Sequence, residues 1–195
     1  MHPSLAEIAA LLDQERAALL ATWASIPPEA RERRPTPEEW SPAELLEHLR
    51  LVEGGSTRLL AKRLQRAREA GLGAEASAVS RVGCLDHLAI ADSPARYVAP
   101  EAVTPAATAR AVDVEAGLAE TRAALRALLA EADGLALGEV RATHMRFGEI
   151  DMYQWLVFLA QHERRHGRQL ARVGEALADS VASPESVSSR AQRGI

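Results

Sequence analysis

The chain has 195 residues and a formal net charge of -4, with acidic and basic side chains mixed along its length. This length fits one domain, or one domain with a tail, that buries its own hydrophobic core. Hydrophobic residues make up 47% of the chain but aromatic residues only 4%, so leucine, alanine and valine must fill the interior. Such a composition favours helices packed on helices over β-sheets. The charge pattern has no basic stripe between aromatic residues and argues against a nucleic-acid partner.

Cysteine content and hydropathy indicate the compartment. Cys84 is the single cysteine, which excludes an internal disulfide and favours a reducing environment. Acidic residues near the N-terminus interrupt the apolar stretch that a signal peptide needs. No window approaches the roughly 20 apolar residues of a membrane-spanning helix. We therefore expect a cytoplasmic protein without a membrane partner.

Four segments have the apolar periodicity of helices, and none has a convincing strand pattern. The predicted helices cover about residues 5–26, 41–70, 106–132 and 151–177, and Val112 counts among the apolar positions of the third. The segment 73–105 is interrupted by prolines and offers only VGCLDHLAI as a short helix. Such a long connection is typical of a bundle in which neighbouring helices do not simply reverse direction. We predict an all-α four-helix bundle with a long crossover over residues 1–178, followed by a flexible tail over residues 179–195.

The second helix has the clearest start. In the stretch EEWSPAELLEHL, Ser41 is a good N-cap and Pro42 occupies the first helical position, where proline is tolerated. Glu44 completes a capping box, in which the side chain of each partner bonds to the backbone of the other. These local signals predict a helix that begins at residue 42.

The last predicted helix contains QHERRH, which has the H-E-x-x-H spacing of zinc proteases. Residues four apart lie on one face of a helix, about 6 Å apart along its axis, so His162 and His166 can bind the same ion. Both continue an apolar stripe that includes Trp155 and Phe158. An unsatisfied buried polar group costs about 1–3 kcal/mol, and a metal ion would satisfy both imidazoles.

A catalytic zinc site usually has three protein ligands, so a third residue is needed. No histidine follows His166, and no predicted strand would hold an extended peptide substrate, which makes a zinc protease the least favoured interpretation. His48 lies within the apolar side of the second predicted helix, between Leu45 and Val52. A bundle that packs this helix against the last one brings His48 opposite His162 and His166. These three histidines form the predicted metal site.

Two stretches resemble a known family, the DinB/YfiT-like superfamily of four-helix-bundle metalloenzymes. They are EEWSPAELLEHLRLVE, with Trp-Ser and a later His-Leu, and THMRFGEIDMYQWLVFLAQHERRHGRQL, with a His-x-x-x-Gly turn, a Trp and His-x-x-x-His followed by Gln. The resemblance covers about residues 5–177 and implies a divalent metal, nickel or zinc, held by His48, His162 and His166. It also implies thiol-dependent transferase or isomerase activity with mycothiol, bacillithiol or glutathione in some members. Met145 stands where relatives often have proline.

Further residues are candidates for the pocket or for contacts with the ligands: His144, Gln169, Glu44 and Trp155. Gln169 follows His166 by three positions and can hydrogen-bond a ligand or the core. His144 braces the loop before the last helix or reaches the pocket as an acid or base. Trp155 and Trp40 are expected as core anchors.

Glu163 is not expected to be a protease base. One residue is a rotation of about 100° around a helix, so Glu163 faces away from an ion shared by His162 and His166. We expect a solvated carboxylate paired with Arg164, Arg165 or Arg168.

Two kinds of function remain open on the sequence. Three neutral imidazoles leave a divalent ion its full charge, which acidifies a bound water or activates a thiolate. The first kind is therefore a metal-dependent enzyme, a thiol-dependent S-transferase or a hydrolase, that acts on a small molecule. The second is a non-catalytic metal-binding or stress-related helical module. Imidazole suits zinc and nickel alike, and a homodimer is compatible with the fold.

Overall fold

The computed structural model describes residues 1–93 and 98–182, with side chains up to Asp179, and contains four long helices. Their bounds are α1 Pro3–Ser25, α2 Pro42–Glu69, α3 Ala111–Glu131 and α4 Met152–Ala182. The predicted four-helix architecture is confirmed. Helix α4 continues past the predicted start of the tail at residue 179, and residues 183–195 lie outside the described part of the chain.

The helices pack in the spatial order α1, α4, α2, α3 around a common core. Helices α2 and α3 run parallel, because later residues of α2 contact later residues of α3. Arg50 packs over Gly117, and further along both helices Thr121 donates a 3.0 Å hydrogen bond to Glu53. A parallel pair needs a connection that returns along the length of the bundle. The segment between the end of α2 and the start of α3, predicted as a crossover over residues 73–105, provides this connection.

Buried leucines form two apolar clusters, one in each half of the bundle. The first cluster includes Leu12 of α1 and Leu125 of α3, and the second includes Leu19 and Leu118 from the same two helices. Each helix thus passes from one cluster to the other near its middle. The candidate site lies at this level of the bundle.

The start of α2 agrees with its local sequence signals, whereas the start of α3 differs from the prediction. The capping box at the start of α2 is present: the backbone N–H of Glu44 donates to Ser41 Oγ at 3.2 Å, and that of Ser41 donates to Glu44 Oε2 at 2.8 Å. Helix α3, however, begins at Ala111, later than predicted, and Val112 is 70% exposed rather than part of the core. Helical propensity alone did not extend α3 toward Pro105, because helices in proteins depend mainly on tertiary packing.

A β-hairpin precedes α4, where we expected no strand. Strands β1 (Arg141–His144) and β2 (Gly148–Asp151) are antiparallel, with Ala142 opposite Ile150 in the register. Gly148 adopts a φ of 72°, which glycine tolerates at the turn. Each strand has only four residues, too few for a detectable alternation of apolar side chains.

The crossover between α2 and α3 is irregular but anchored. The stretch expected as a short helix forms a 3-10 turn over Asp86–Leu88, and the neighbouring Leu85 and Ile90 are buried in the core. A second 3-10 turn over Glu101–Val103 precedes α3 and packs on α2. The crossover therefore places backbone groups beside α2.

No helix in the described part of the chain is long and apolar enough to cross a lipid bilayer.

Candidate metal centre

The structure brings together the three predicted histidines where α2 packs against α4. Nε2 of His162 lies 3.4 Å from Nε2 of His48 and 3.2 Å from Nε2 of His166. One nitrogen from each ring lies within 4.8 Å of the other two. His48 and His166 are buried and His162 is partly buried. Ring nitrogens from residues 114 positions apart thus converge on one point.

The outer nitrogens of two rings have hydrogen-bond partners that define their tautomers. His48 Nδ1 lies 2.7 Å from the carbonyl oxygen of Val103, and His166 Nδ1 lies 2.9 Å from Oε1 of Gln169. A carbonyl oxygen only accepts hydrogen bonds, so in a neutral ring Nδ1 carries the proton and Nε2 carries a bare lone pair. Both lone pairs face Nε2 of His162, which can donate at most one N–H. At least one nitrogen lone pair therefore has no full hydrogen bond within the cluster.

The environment keeps all three rings neutral. Burial lowers the pKa of His48, although its hydrogen bond to Val103 opposes the shift. Burial lowers the pKa of His166 to about 3. Burial, with further contributions from His166 and His48, lowers the pKa of His162 well below its usual range. Neutral imidazole is the form that binds metal ions, so the rings are ready ligands near pH 7.

The donor set fits a divalent ion. In a tetrahedral site with metal–nitrogen distances of about 2.0–2.1 Å, neighbouring ligand nitrogens are about 3.3 Å apart. The Nε2–Nε2 distances from His162 to the other two rings, 3.2 and 3.4 Å, agree with this spacing, and all three ligand atoms lie within 4.8 Å of one another. A cation would also accept the lone pairs that lack a proton donor. His48, His162 and His166 are therefore close enough to share such an ion.

Aromatic rings surround the three histidines. The ring centroid of Trp40 lies 5.0 Å from that of His48, and the Phe158 centroid lies 5.3 Å from that of His162. Sequence reasoning expected Trp40 only as a core anchor. These rings cover faces of two ligands and limit the access of water to them.

His144 lies next to the centre but not in it. Its ring packs against Phe147, Trp155 and Phe158, with a centroid distance of 4.6 Å to Phe158, which in turn packs against His162. The backbone N–H of Arg146 donates to His144 Nδ1 at 3.1 Å. Burial lowers the pKa of His144, which favours its neutral form.

Two other candidates contact different parts of the molecule. The carboxylate of Glu44 caps α2 and pairs with Arg34, at 2.8 Å from Nε. The indole N–H of Trp155 points at the carbonyl of Ala142, 3.4 Å away, and ties α4 to the hairpin. Both residues support the local structure around the centre, and neither hydrogen-bonds a ligand.

The expectation that Glu163 is a solvated carboxylate was wrong. Glu163 does face away from the centre, but its side chain is only 3% exposed and is paired with Arg16 and Arg122. Helix α1 packs against α4, and Glu163 lies on this covered side although the side chain of the next residue, Arg164, is 40% exposed. Since both carboxylate oxygens accept hydrogen bonds from arginines, Glu163 cannot act as the base of a zinc protease.

Sequence reasoning missed the residues that hold Glu163 and the carbonyl that holds His48. Arg16, Glu53 and Arg122 are charged residues in the apolar stripes of their helices, a signal that periodicity analysis could have used. The carbonyl of Val103 has no such signal, because any residue type offers a backbone oxygen.

A four-helix bundle with three converging imidazoles defines a class of helical protein with a candidate metal centre. The model of the DinB superfamily matches residues 11–170, most of the chain. The chain therefore belongs to the DinB superfamily, and the resemblance seen in the sequence is confirmed.

A solved structure described as "Crystal structure of TT2238, a four-helix bundle protein" is also similar to this chain. It has 21% sequence identity and a TM-score of 0.52, over 92% of this chain and 99% of that one. At this level of identity the similarity shows the fold alone. The sequence has no match among curated proteins.

Proposed function

We propose that this protein is a metal-dependent enzyme that holds a divalent ion, zinc or nickel, through Nε2 of His48, His162 and His166. One observation carries the proposal. The Nε2 lone pairs of His48 and His166 both face Nε2 of His162, and the single N–H of that ring can hydrogen-bond only one of them. An arrangement of neutral bases around one point is costly without a cation and favourable with one. Membership of the DinB superfamily is compatible with this site.

When bound, such an ion supplies Lewis-acid chemistry, which acidifies a water molecule or a thiol. The residues of the chain have distinct tasks around it. Val103 and Gln169 hold the Nδ1 protons and so keep Nε2 of His48 and His166 directed at the common point. The rings of Trp40 and Phe158 restrict water. This combination suits the transfer of a low-molecular-weight thiol to a small molecule, or the hydrolysis of one.

A non-catalytic metal-binding module is the second candidate. One observation favours it: in residues 1–93 and 98–179, no carboxylate hydrogen-bonds the three rings, and His144 is separated from them by Phe158. An enzyme of the first kind would then rely on the substrate or the thiol for its proton transfers.

Metal content and turnover decide between these candidates. Protein purified without a nickel column is analysed for metals, and the fully loaded form is assayed with a panel of low-molecular-weight thiols and electrophiles and with hydrolase substrates. The proposal expects one divalent ion per chain and turnover that a chelator abolishes. Loaded protein that turns over nothing in the panel favours the module, and absence of binding in wild-type protein overturns both. His48→Ala, which removes one ligand, is the control.

A further inference from the structure

Four charged side chains, one from each helix, form a buried layer across the middle of the bundle. They are Arg16 of α1, Glu53 of α2, Arg122 of α3 and Glu163 of α4. Their side chains are between 3% and 10% exposed. Two positive and two negative charges cancel, so this charged layer is electrically neutral although it is almost dry.

The four side chains of the charged layer are joined by a ring of ion pairs, and Asp13 lies outside this ring, 3.8 Å from Nη1 of Arg122. Oε2 of Glu53 accepts hydrogen bonds from Nη2 of Arg16 at 2.9 Å and from Nη2 of Arg122 at 2.8 Å. Glu163 accepts at Oε1 from Nε of Arg16 and at Oε2 from Nη2 of Arg122, the latter at 2.6 Å. The other oxygen of Glu53 accepts from the Thr121 hydroxyl. Each arginine thus connects the same two glutamates.

Backbone carbonyls accept a further hydrogen bond from each guanidinium group. Nη1 of Arg16 donates to the carbonyl of Leu118 on α3 at 3.0 Å, and Nη1 of Arg122 donates to that of Leu12 on α1 at 2.6 Å. Because carbonyls are fixed to the helix axis, these bonds tie the arginines to one height on the neighbouring helix. A slip of either helix would break them.

Apolar residues on both sides prevent the charged layer from forming elsewhere. It lies between the two clusters of buried leucines, so that Leu12 and Leu19 flank Arg16, and Leu118 and Leu125 flank Arg122. A helix shifted by one turn, or rotated by one residue, would place a charge among leucines without a partner. The charged layer therefore selects one height and one rotation for each helix.

Two members of the charged layer belong to the helices that carry the candidate ligands. Glu163 follows His162 directly, so a carboxylate turned toward α1 and α3 leaves the imidazole turned about 100° away, toward α2. Glu53 lies five residues after His48 on α2. The charged layer also adjoins the centre: a cavity of about 10 Å³ is lined by Arg16, Glu53 and Glu163 together with His162.

We infer that the charged layer is a positioning device for the candidate metal centre, in which Arg16 and Arg122 lock α2 and α4 in the rotation that makes the three imidazoles converge. This inference rests on the proposed metal site. Its members are positioning residues, since none of them donates a ligand atom. Ligands held in place before the ion arrives lose less freedom on binding, so loosening α4 must weaken metal affinity.

Glu163→Gln tests the inference in the full-length chain. The amide keeps the shape of the side chain but accepts at one position instead of two, so one arginine loses its partner on α4. We expect the Kd for Zn²⁺, measured by competition with a chromogenic chelator, to rise 10- to 100-fold. The visible absorption of the Co²⁺-loaded variant should also change intensity, because the ligand geometry is less well defined.

Glu15→Gln is the matched control. Glu15 is a buried carboxylate of α1 that pairs at 2.6 Å with Arg164, the residue next to Glu163 on α4. Both variants thus remove a carboxylate from a pair between α1 and α4, but only Glu163 belongs to the charged layer. We expect Glu15→Gln to lower thermal stability and to leave the Zn²⁺ Kd and the Co²⁺ spectrum unchanged.

The outcomes separate this inference from the proposed function. Wild-type protein that binds no Zn²⁺ overturns both. Wild-type binding with an equal Kd for Glu163→Gln, or with equal weakening in Glu15→Gln, overturns the positioning role alone. If Glu163→Gln does not fold, Arg16→Lys keeps the charge but removes the fork between Glu53 and Glu163. A Kd for this variant within twofold of wild type then rejects the inference, and a larger rise supports it.

Discussion

Gln169 accepts a hydrogen bond from His166, with 2.9 Å between Oε1 and Nδ1, and the two residues lie three positions apart on α4. This contact is local, because one turn of helix brings both side chains to the same face. It leaves the lone pair of His166 Nε2 directed at His162. A residue outside the ligand set therefore decides which nitrogen of a ligand is free.

Removal of this acceptor should weaken metal binding. Gln169→Ala frees Nδ1 of His166, so the ring can rotate or change tautomer, and we expect the Zn²⁺ Kd to rise about 10-fold. Gln169→Glu keeps an acceptor oxygen at the same place and should bind at least as tightly as wild type. Chelator competition measures both. Equal weakening in the two variants would show that the hydrogen bond is not what orients His166.

Metal ions should stabilise the folded protein, because the ligands converge only in the folded state. At about 100 times its Kd, Zn²⁺ stabilises by about 2.7 kcal/mol. For a chain of this size that corresponds to a rise in Tm of about 5–10 °C. Calorimetry of the apoprotein with and without Zn²⁺ measures the shift. His48→Ala, which lacks the ligand from α2, should show almost none, and an undiminished shift would place the ion elsewhere.

The apoprotein should lose stability in mild acid. The pKa of His166 is about 3 in the folded protein and near 6.5 when the chain unfolds, so the unfolded state binds more protons between these values. The contribution of the neutral His166 ring to the free energy of unfolding is therefore fully present above about pH 6.5 and is lost as the pH falls toward 3. Denaturant unfolding of metal-free protein at several pH values measures this dependence.

His166→Gln isolates that contribution, since the variant lacks one titrating group but keeps the other histidines and carboxylates. We expect a shallower slope of unfolding free energy against pH, by up to about 1.4 kcal/mol per pH unit between pH 3 and 6.5. A slope identical to that of wild type would mean that His166 is protonated in the folded apoprotein.

Removal of one member of the charged layer should strongly destabilise the folded protein. Glu53→Gln leaves Arg16 and Arg122 with Glu163 as their shared carboxylate, and breaking a buried ion pair in this way costs about 3–5 kcal/mol. Urea unfolding measures the change. Glu149→Gln breaks an exposed pair with Arg141 and should unfold like wild type. If Glu53→Gln changed the free energy of unfolding as little as Glu149→Gln does, water would have to reach the charged layer.

Several features of the fold were predictable because they depend on neighbours within one or two turns of the chain. The capping box of Ser41 and Glu44 is a contact between residues three apart. The spacing of His162 and His166 places both on one face of any helix. Apolar periodicity likewise identified the four helices, since it reports which side of each helix is buried.

Other features followed from contacts that no local pattern contains. The four-residue strands of the hairpin are too short to alternate visibly, and Val112 is apolar yet 70% exposed among the described residues. Glu163 was correctly placed away from the ligands but wrongly placed in water. Its surroundings depend on where α1 and α3 lie, which the sequence of α4 alone does not state.

The sequence by itself determined which side of each helix is apolar and which histidines share a face, because these properties depend on the rise and rotation of a single helix. Only the tertiary structure decided that the carbonyl of Val103 orients His48 and that two arginines enclose Glu163. Those contacts join residues between 41 and 147 positions apart. They exist only when the relative height and rotation of the helices are settled by packing of the whole bundle.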